Sequence, residues 1–257
     1  MVSKFKTFEA LHTARKLFIL PNSWDAESAI IFQESNYPAV GTSSAAVAAS
    51  LGYEDGERMP FADYLVIIRR IAASVNIPVT IDLEMGYGKT KEEVYANVQK
   101  LIEVGVVGIN IEDSSIANGK RTLKDTKEFA QTLEFVKKKL VAERQSLFIN
   151  VRCDSYLLKV KDSQNETAQR IKVFESVGVD GIFLPFISEE QDIERVLHET
   201  RLPLNVMCIP GLPEIDKLNQ LGVTRLSMGP FLHNKTYARV RELAKKVIEQ
   251  KSIKSIL

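Results

Sequence analysis

The residues best suited to chemistry lie in Thr80-Ile81-Asp82-Leu83-Glu84-Met85-Gly86-Tyr87-Gly88-Lys89. An apolar run from Ile77 through Ile81 predicts a buried strand, and it ends in two carboxylates, Asp82 and Glu84, followed by a Gly-Tyr-Gly turn. Side chains two apart on a strand share a face, with backbones separated by about two rises of roughly 3.3 Å. Both acids are therefore expected to leave the strand tip in one direction, where two like charges need a cation or a proton between them. A lone Asp at a strand end would read as a solvated turn residue. Further acids and an arginine at other strand ends point instead to a shared site.

The elements that must position these groups alternate along the chain. Strands are expected at Leu17–Leu20, Ala39–Ser43, Pro78–Glu84, Gly108–Glu112, Leu147–Arg152, Gly181–Leu184, Leu204–Cys208 and Arg225–Met228, which makes eight. Between them lie amphipathic stretches such as Phe61–Ala73 and Lys91–Val104, with apolar residues three and four apart. Capping-box patterns are expected at Thr90 with Glu93, Ser163 with Glu166 and Ser188 with Gln191. Glu103-Val104-Gly105-Val106-Val107-Gly108-Ile109 is echoed by Ser176-Val177-Gly178-Val179-Asp180-Gly181-Ile182, and Gln220-Leu221-Gly222-Val223 repeats its first half. In each, a glycine can take the left-handed conformation that ends a helix before a strand starts. Eight such units without a Pro- or Ser-rich linker predict one α/β domain over residues 1–257, a (β/α)8 TIM-type barrel. An open doubly wound sheet would usually carry a glycine-rich phosphate loop after its first strand, and Leu20-Pro21-Asn22-Ser23-Trp24-Asp25 has no glycine.

Composition narrows the function classes. With 257 residues, 45% hydrophobic, the chain can bury one large core, and a net charge of +1 gives no polyanion-binding surface, so nucleic acid is not an expected partner. No segment supplies the ~20 apolar residues of a membrane span, and a cytoplasmic protein is expected. The two cysteines, Cys153 and Cys208, adjoin apolar runs outside any ligand-spaced cluster and read as buried thiols. The three histidines, His12, His198 and His233, fall away from the strand ends and read as surface or helix residues.

In a barrel of this kind chemistry sits at the carboxyl ends of the strands. Those ends supply Gly41-Thr42-Ser43-Ser44, then Asp82 and Glu84, Glu112 with Asp113, Arg152 with Asp154, Asn205, and Ser227. Neighbouring strands are about 4.8 Å apart, so Glu112 can meet the pair on the preceding strand. Three acids with room for water suit a hard, oxygen-seeking ion. Mg²⁺ is the natural choice, with Mn²⁺ able to substitute, whereas zinc would want His or Cys. Arg152 offers a planar fork suited to a carboxylate.

Gly41-Thr42-Ser43-Ser44, Ala48-Ala49-Ser50-Leu51-Gly52-Tyr53-Glu54-Asp55-Gly56-Glu57, Asp82-Leu83-Glu84-Met85-Gly86-Tyr87-Gly88, Asn110-Ile111-Glu112-Asp113 and Asn150-Val151-Arg152 resemble, in order and spacing, the motifs of the isocitrate lyase/phosphoenolpyruvate mutase superfamily. The resemblance implies a barrel that binds a small 2-oxo acid or its enolate through Mg²⁺ and makes or breaks a C–C or P–C bond beside the carbonyl. It implies Asp55, Asp82, Glu84 and Glu112 as the metal-holding acids, some through water. It also implies Thr42, Ser43 and Ser44 as the loop that holds the substrate carboxylate, and Arg152 as its ion-pair partner. Glu112 and Arg152 are the expected catalytic groups, and Asn205 a further substrate contact. Members are commonly tetramers built from dimers that exchange their eighth helix, which here would fall between Tyr237 and Glu249, so a homo-oligomer, dimer or tetramer, is expected.

This chain departs from that pattern in places. Isocitrate and methylisocitrate lyases carry a Lys-Lys-Cys-Gly-His type segment after the fourth strand, where this chain has the short Ser114-Ser115-Ile116-Ala117-Asn118-Gly119-Lys120-Arg121. Glu84 stands where many members have Asp, and Leu184-Pro185-Phe186 offers no acid or histidine. Asp113, Ser114, Asn118 and Lys120 are spare polar groups without an assigned role. Two function classes follow: a Mg²⁺-dependent lyase, decarboxylase or hydrolase, and a protein that binds the metal and oxo acid without turnover because the acid–base loop is lost.

Overall fold

The computed structural model describes residues 3–14 and 16–257. In chain order the elements are α1 (Lys4–Thr13), β1 (Phe18–Leu20), β2 (Asn22–Ser23), α2 (Ala26–Glu34), β3 (Val40–Thr42), α3 (Ser44–Ser50), α4 (Phe61–Ser74), β4 (Val79–Asp82), α5 (Lys91–Glu103), β5 (Gly108–Glu112), β6 (Ser114–Ala117), β7 (Lys120–Leu123), α6 (Thr126–Ala142), β8 (Phe148–Arg152), α7 (Ser163–Ser176), β9 (Gly181–Leu184), α8 (Glu190–Glu199), β10 (Leu204–Met207), α9 (Ile215–Leu221), β11 (Arg225–Ser227) and α10 (Phe231–Gln250). A 3₁₀ turn at Lys254–Ile256 follows.

Nine strands form one parallel sheet in the order β1-β11-β10-β9-β8-β5-β4-β3-β2. Its two ends are halves of one stave, interrupted at Pro21, which has no amide hydrogen to give the ladder. β1 pairs with β11 and β2 with β3, and the Pro21 carbonyl accepts from Gly41 N at 2.9 Å. The sheet thus closes into the expected eight-stave barrel. The first stave runs past its expected end at Leu20 through Ser23, and the others fall within their expected ranges, with the limits of β5 and β9 as expected and most of the rest slightly shorter.

The repeated glycines do what the echo implies: Gly105, Gly178 and Gly222 have φ of +90°, +80° and +100° at helix ends. Thr90 and Glu93 form their capping box. The other two boxes do not form. Asp162 caps α7, and Ser163 is its first residue, with its hydroxyl donating to the Val160 carbonyl at 2.8 Å. Helix α8 begins at Glu190, too late for Ser188 to cap it, and has no side-chain cap.

At the amino-terminal mouth α1, not anticipated from the sequence, plugs the barrel. Phe8 is fully buried with its ring edge-on to Phe148 at 5.5 Å, and His12 stacks on Phe148 at 4.0 Å. His12 and His233 are therefore buried helix residues and not surface ones. The close approach requires Gly108, since a Cβ there would lie 2.9 Å from a Phe8 ring carbon and 3.0 Å from Thr80 Oγ1. Cys153 is buried and Cys208 half-buried, and both are free thiols. Among the described residues no helix is long and apolar enough to cross a membrane.

Candidate active site

The carboxyl ends of the staves open into a cavity of about 320 Å³, within the range of small-ligand pockets. Ser43, Ser44, Asp55 and Asp82 line it together with Arg121 and Arg152, as do Asn22, Asn110 and Ser227, and the stave of Arg152 stands two from that of Asp82. Leu157, Phe183, Pro185, Phe186, Met207 and Phe231 supply the apolar remainder.

Asp82, the last residue of β4, is held by a closed ring of hydrogen bonds. Its N–H donates to Thr42 Oγ1 at 3.1 Å, the Thr42 and Tyr64 hydroxyls lie 2.6 Å apart, and the Tyr64 hydroxyl donates to the Asp82 carbonyl at 3.0 Å. The Asp82 carboxylate accepts through Oδ2 from the Ser44 hydroxyl at 2.8 Å and from the Ser44 amide at 3.4 Å. Its Oδ1 is buried without a protein partner. Asp55 comes from the loop between α3 and α4 and stands exposed at the rim; the surrounding protein and then Asp82 raise its pKa.

Glu84 takes a different course from the expected shared face. The strand ends at Asp82, and Glu84 and Tyr87 both adopt left-handed φ, +50° and +52°. The Glu84 side chain turns behind the cavity wall, where its carboxylate accepts from Tyr87 Oη at 2.7 Å and from the Glu57 amide at 2.8 Å. Desolvation raises its pKa to about 8.

Glu112, at the end of the stave next to that of Asp82, is fully buried. Arg152 Nη1 lies 3.0 Å from its Oε2, and Arg121 Nη1 contacts its Oε1. Burial raises the Glu112 pKa, and the two guanidinium groups pull it back. Asp154 completes the cluster, accepting from Arg152 Nε at 2.6 Å, from Ser114 Oγ at 2.5 Å and from Arg121 Nη1 at 3.3 Å. Asp113, one residue beyond Glu112, pairs with Arg170 at 3.2 Å and accepts from the Asp154 amide at 2.9 Å, fixing the β8 end against β5.

Of the expected site residues, Ser43, Ser44, Asp55, Asp82 and Arg152 face one cavity. Thr42 stands behind its wall with its hydroxyl in the ring around Asp82, and Asn205 lies a layer lower, 1% exposed, in register with Arg225. Glu84 and Glu112 are neighbours of the cavity with their carboxylates engaged elsewhere. Among the described residues no three His, Cys, Asp or Glu side chains form a ready-made ion-holding group, although Glu84 stands close enough to Asp55, Asp82 and Glu112 to feel their charges. Sequence reading missed Arg121 and Asn110. Arg121 rides on the β6–β7 hairpin, whose turn residues Asn118 and Gly119 have φ of +51° and +73°. Asn-Gly is the strongest two-residue hairpin signal, and it stood in the sequence. Asn110 lies two before Glu112 on the same strand face, a position the period of two also marks.

The donor set present still fits a hard divalent ion. Asp82 Oδ1 is an unpaired buried anionic oxygen, Asp55 lies close enough to feel its charge, and carboxylates with waters and substrate oxygens are what Mg²⁺ takes.

Comparison with known proteins identifies the family. The family model described as phosphoenolpyruvate phosphomutase matches residues 8–248. An uncharacterised protein of Mycobacterium tuberculosis strain H37Rv is 30% identical over 223 residues, covering 87% of this chain and 81% of that protein. An oxaloacetate decarboxylase of Bradyrhizobium sp. strain ORS 278 is 28% identical over 207 residues, covering 77% of this chain and 67% of that enzyme. Among solved structures, a candidate phosphonomutase from Burkholderia cenocepacia J2315 superposes with a TM-score of 0.88 at 32% identity, covering 94% of this chain and 99% of that one. Phosphonopyruvate hydrolase, solved with oxalate and Mg²⁺, shares the fold with a TM-score of 0.86 at 20% identity, covering 99% and 90% of the two chains. The chain belongs to the phosphoenolpyruvate phosphomutase family.

Proposed function

We propose that this protein is a Mg²⁺-dependent enzyme that binds a small 2-oxo acid and cleaves the bond next to the carbonyl, most simply by decarboxylating an oxaloacetate-like substrate. The reading is carried by Asp82, whose buried Oδ1 lacks a protein partner in a cavity also lined by two arginines. Asp82 and Asp55 would hold the ion, with Glu84 and Glu112 behind them. When bound, it would supply a Lewis acid for charge that develops on the keto oxygen. Arg152 and the Ser44 region would orient the substrate carboxylates, aligning the scissile bond with the carbonyl π system. The apolar wall at Phe183, Phe186 and Met207 would exclude water while the enolate forms.

No cavity-lining side chain among the described residues is a Cys, His or Lys. Cleavage of a β-hydroxy acid needs a base for the hydroxyl proton. Loss of CO₂ from a β-oxo acid needs only an electron sink, with water supplying the later proton at carbon, and the site suits the second better. A similarity to an oxaloacetate decarboxylase supports the same choice. The same lining also favours a second reading, a protein that binds metal and oxo acid without turnover.

Protein supplied with Mg²⁺ and offered oxaloacetate, phosphonopyruvate and 2-methylisocitrate is expected to turn over oxaloacetate, with activity lost in Asp82→Asn and reduced about 10²-fold or more in Arg152→Ala. Tight oxalate binding with no turnover of any of the three would establish the second reading. We further propose that the chain works as one barrel domain in a homodimer or homotetramer, exchanging α10 between copies.

A further inference from the structure

Asn110 occupies the middle of β5, in register with Asp82 on one side and Asn150 on the other. It is 5% exposed, and that exposure is to the cavity. Its Oδ1 accepts two hydrogen bonds, from Asn150 Nδ2 at 2.9 Å and from Arg225 Nη2 at 2.9 Å. A guanidinium can only donate, so the atom facing Arg225 must be the amide oxygen and the side chain cannot flip without losing both bonds. The Nδ2 group is left pointing away from Arg225. It donates to no protein acceptor among the described residues, and it is not one of the buried orphan atoms, so it opens on the cavity.

Arg225 is an unusual residue to find there. It is fully buried inside the barrel, and Asp82 is the one carboxylate whose charge supports it. Burial lowers its pKa to about 9, which leaves it cationic at neutral pH. A positive charge behind the carbonyl of Asn110 polarises the amide and strengthens the donor on its other side. The cost of an arginine buried without a contacting carboxylate is hard to explain as barrel packing alone, because an apolar residue would fill that layer at no electrostatic cost.

We infer that Asn110 is a further ligand-binding residue, whose Nδ2 donates from the cavity floor beside Asp82 to an oxygen of the bound oxo acid, and that Arg225 is the positioning residue that fixes this orientation. The inference rests on the oxo-acid reading of the cavity. A preorganised donor next to the acid that would hold the ion is placed to favour an oxygen as it gains negative charge.

Oxalate, a planar dianion with the oxygens of an enolised oxo acid, is the probe. In the presence of Mg²⁺ its addition to the unmodified protein should shift the side-chain amide resonances of Asn110 in a ¹H–¹⁵N spectrum. By calorimetry Asn110→Asp, which keeps acceptors toward Arg225 and Asn150 but offers no donor to the cavity, should weaken oxalate binding about 10-fold to 100-fold. Arg225→Met should weaken it less, and Arg225→Lys should recover part of the loss. Unmoved Asn110 resonances on saturation, or equally tight binding by folded Asn110→Asp, would overturn the assignment while leaving the reading of the site intact. Failure of the unmodified protein to bind oxalate would overturn that reading and this assignment with it. The spectrum is taken on the native sequence, so it decides the matter even where a variant fails to fold.

Discussion

Glu84 keeps its proton well above the usual carboxylate range because its environment withholds water, and the hydrogen bond from Tyr87 offsets only part of that cost. Between its ordinary value of 4.5 and about 8 the folded chain holds a proton that the unfolded chain has released. The folded state therefore binds more protons, and stability must fall as pH rises through that window. Without divalent ions, the melting temperature is expected to drop by about 5–10 °C between about pH 5.5 and about pH 8. In Glu84→Gln, which retains partners for Tyr87 and the Glu57 amide, the slope should flatten; an identical slope in calorimetric scans would refute the account. The same residue marks where sequence reading stops. Period-two alternation located both acids, but the left-handed turn at Glu84, Gly86 and Tyr87 is imposed by packing on α5, where a Cβ on Gly86 would lie 2.9 Å from Val94 Cγ2. No local rule announces a left-handed glutamate whose carboxylate accepts from the Glu57 amide and whose carbonyl accepts from the Glu112 amide, both far off in the chain.

At the level of elements the barrel was legible because eight strand–helix units each repeat the same punctuation, and Gly105, Gly178 and Gly222 take the backbone conformation this requires. The plug was not, since Phe5, Phe8, Leu11 and His12 on α1 bury a face whose partner, the barrel mouth, exists only after closure. Phe8 and Gly108 form one fitted pair in that plug. Gly108→Ala should destabilise the protein by about 1–3 kcal/mol in denaturant titrations, because the new methyl has backbone and ring atoms around it. Combining it with Phe8→Leu should cost less than the sum of the two single changes, since the shorter side chain vacates the contested space. Strict additivity would show that α1 does not seat on Gly108 as described. The β6–β7 hairpin teaches the complementary lesson. Its Asn-Gly turn was readable, but that Arg121 would reach Glu112 and Asp154 depends on where β5 and β8 end, which the sequence gives only to within a residue or two.

For the whole molecule the unfinished surface is α10. A 20-residue helix is about 30 Å long, yet His233 is its one buried residue, and it starts six residues before the expected exchange segment. Tyr237, Val240 and Ile248 are 39%, 53% and 77% exposed at helical spacing, and Tyr237 and Val240 border an apolar groove shared with Trp24, Ile31 and Phe32 on and before α2. A stripe of that kind on an otherwise polar helix calls for a covering surface, and the same helix from a second copy supplies matching chemistry under two-fold symmetry. Sedimentation at micromolar concentration is therefore expected to show a dimer or tetramer, and Val240→Asp with Ile248→Asp should yield a monomer with unchanged helical content. Because Pro230 and Phe231, where α10 begins, line the candidate-site cavity, the monomer should also bind oxalate more weakly than the assembled protein. A monomeric native protein would remove the reason for the stripe; a dissociated variant with undiminished oxalate affinity would show instead that the helix serves assembly alone.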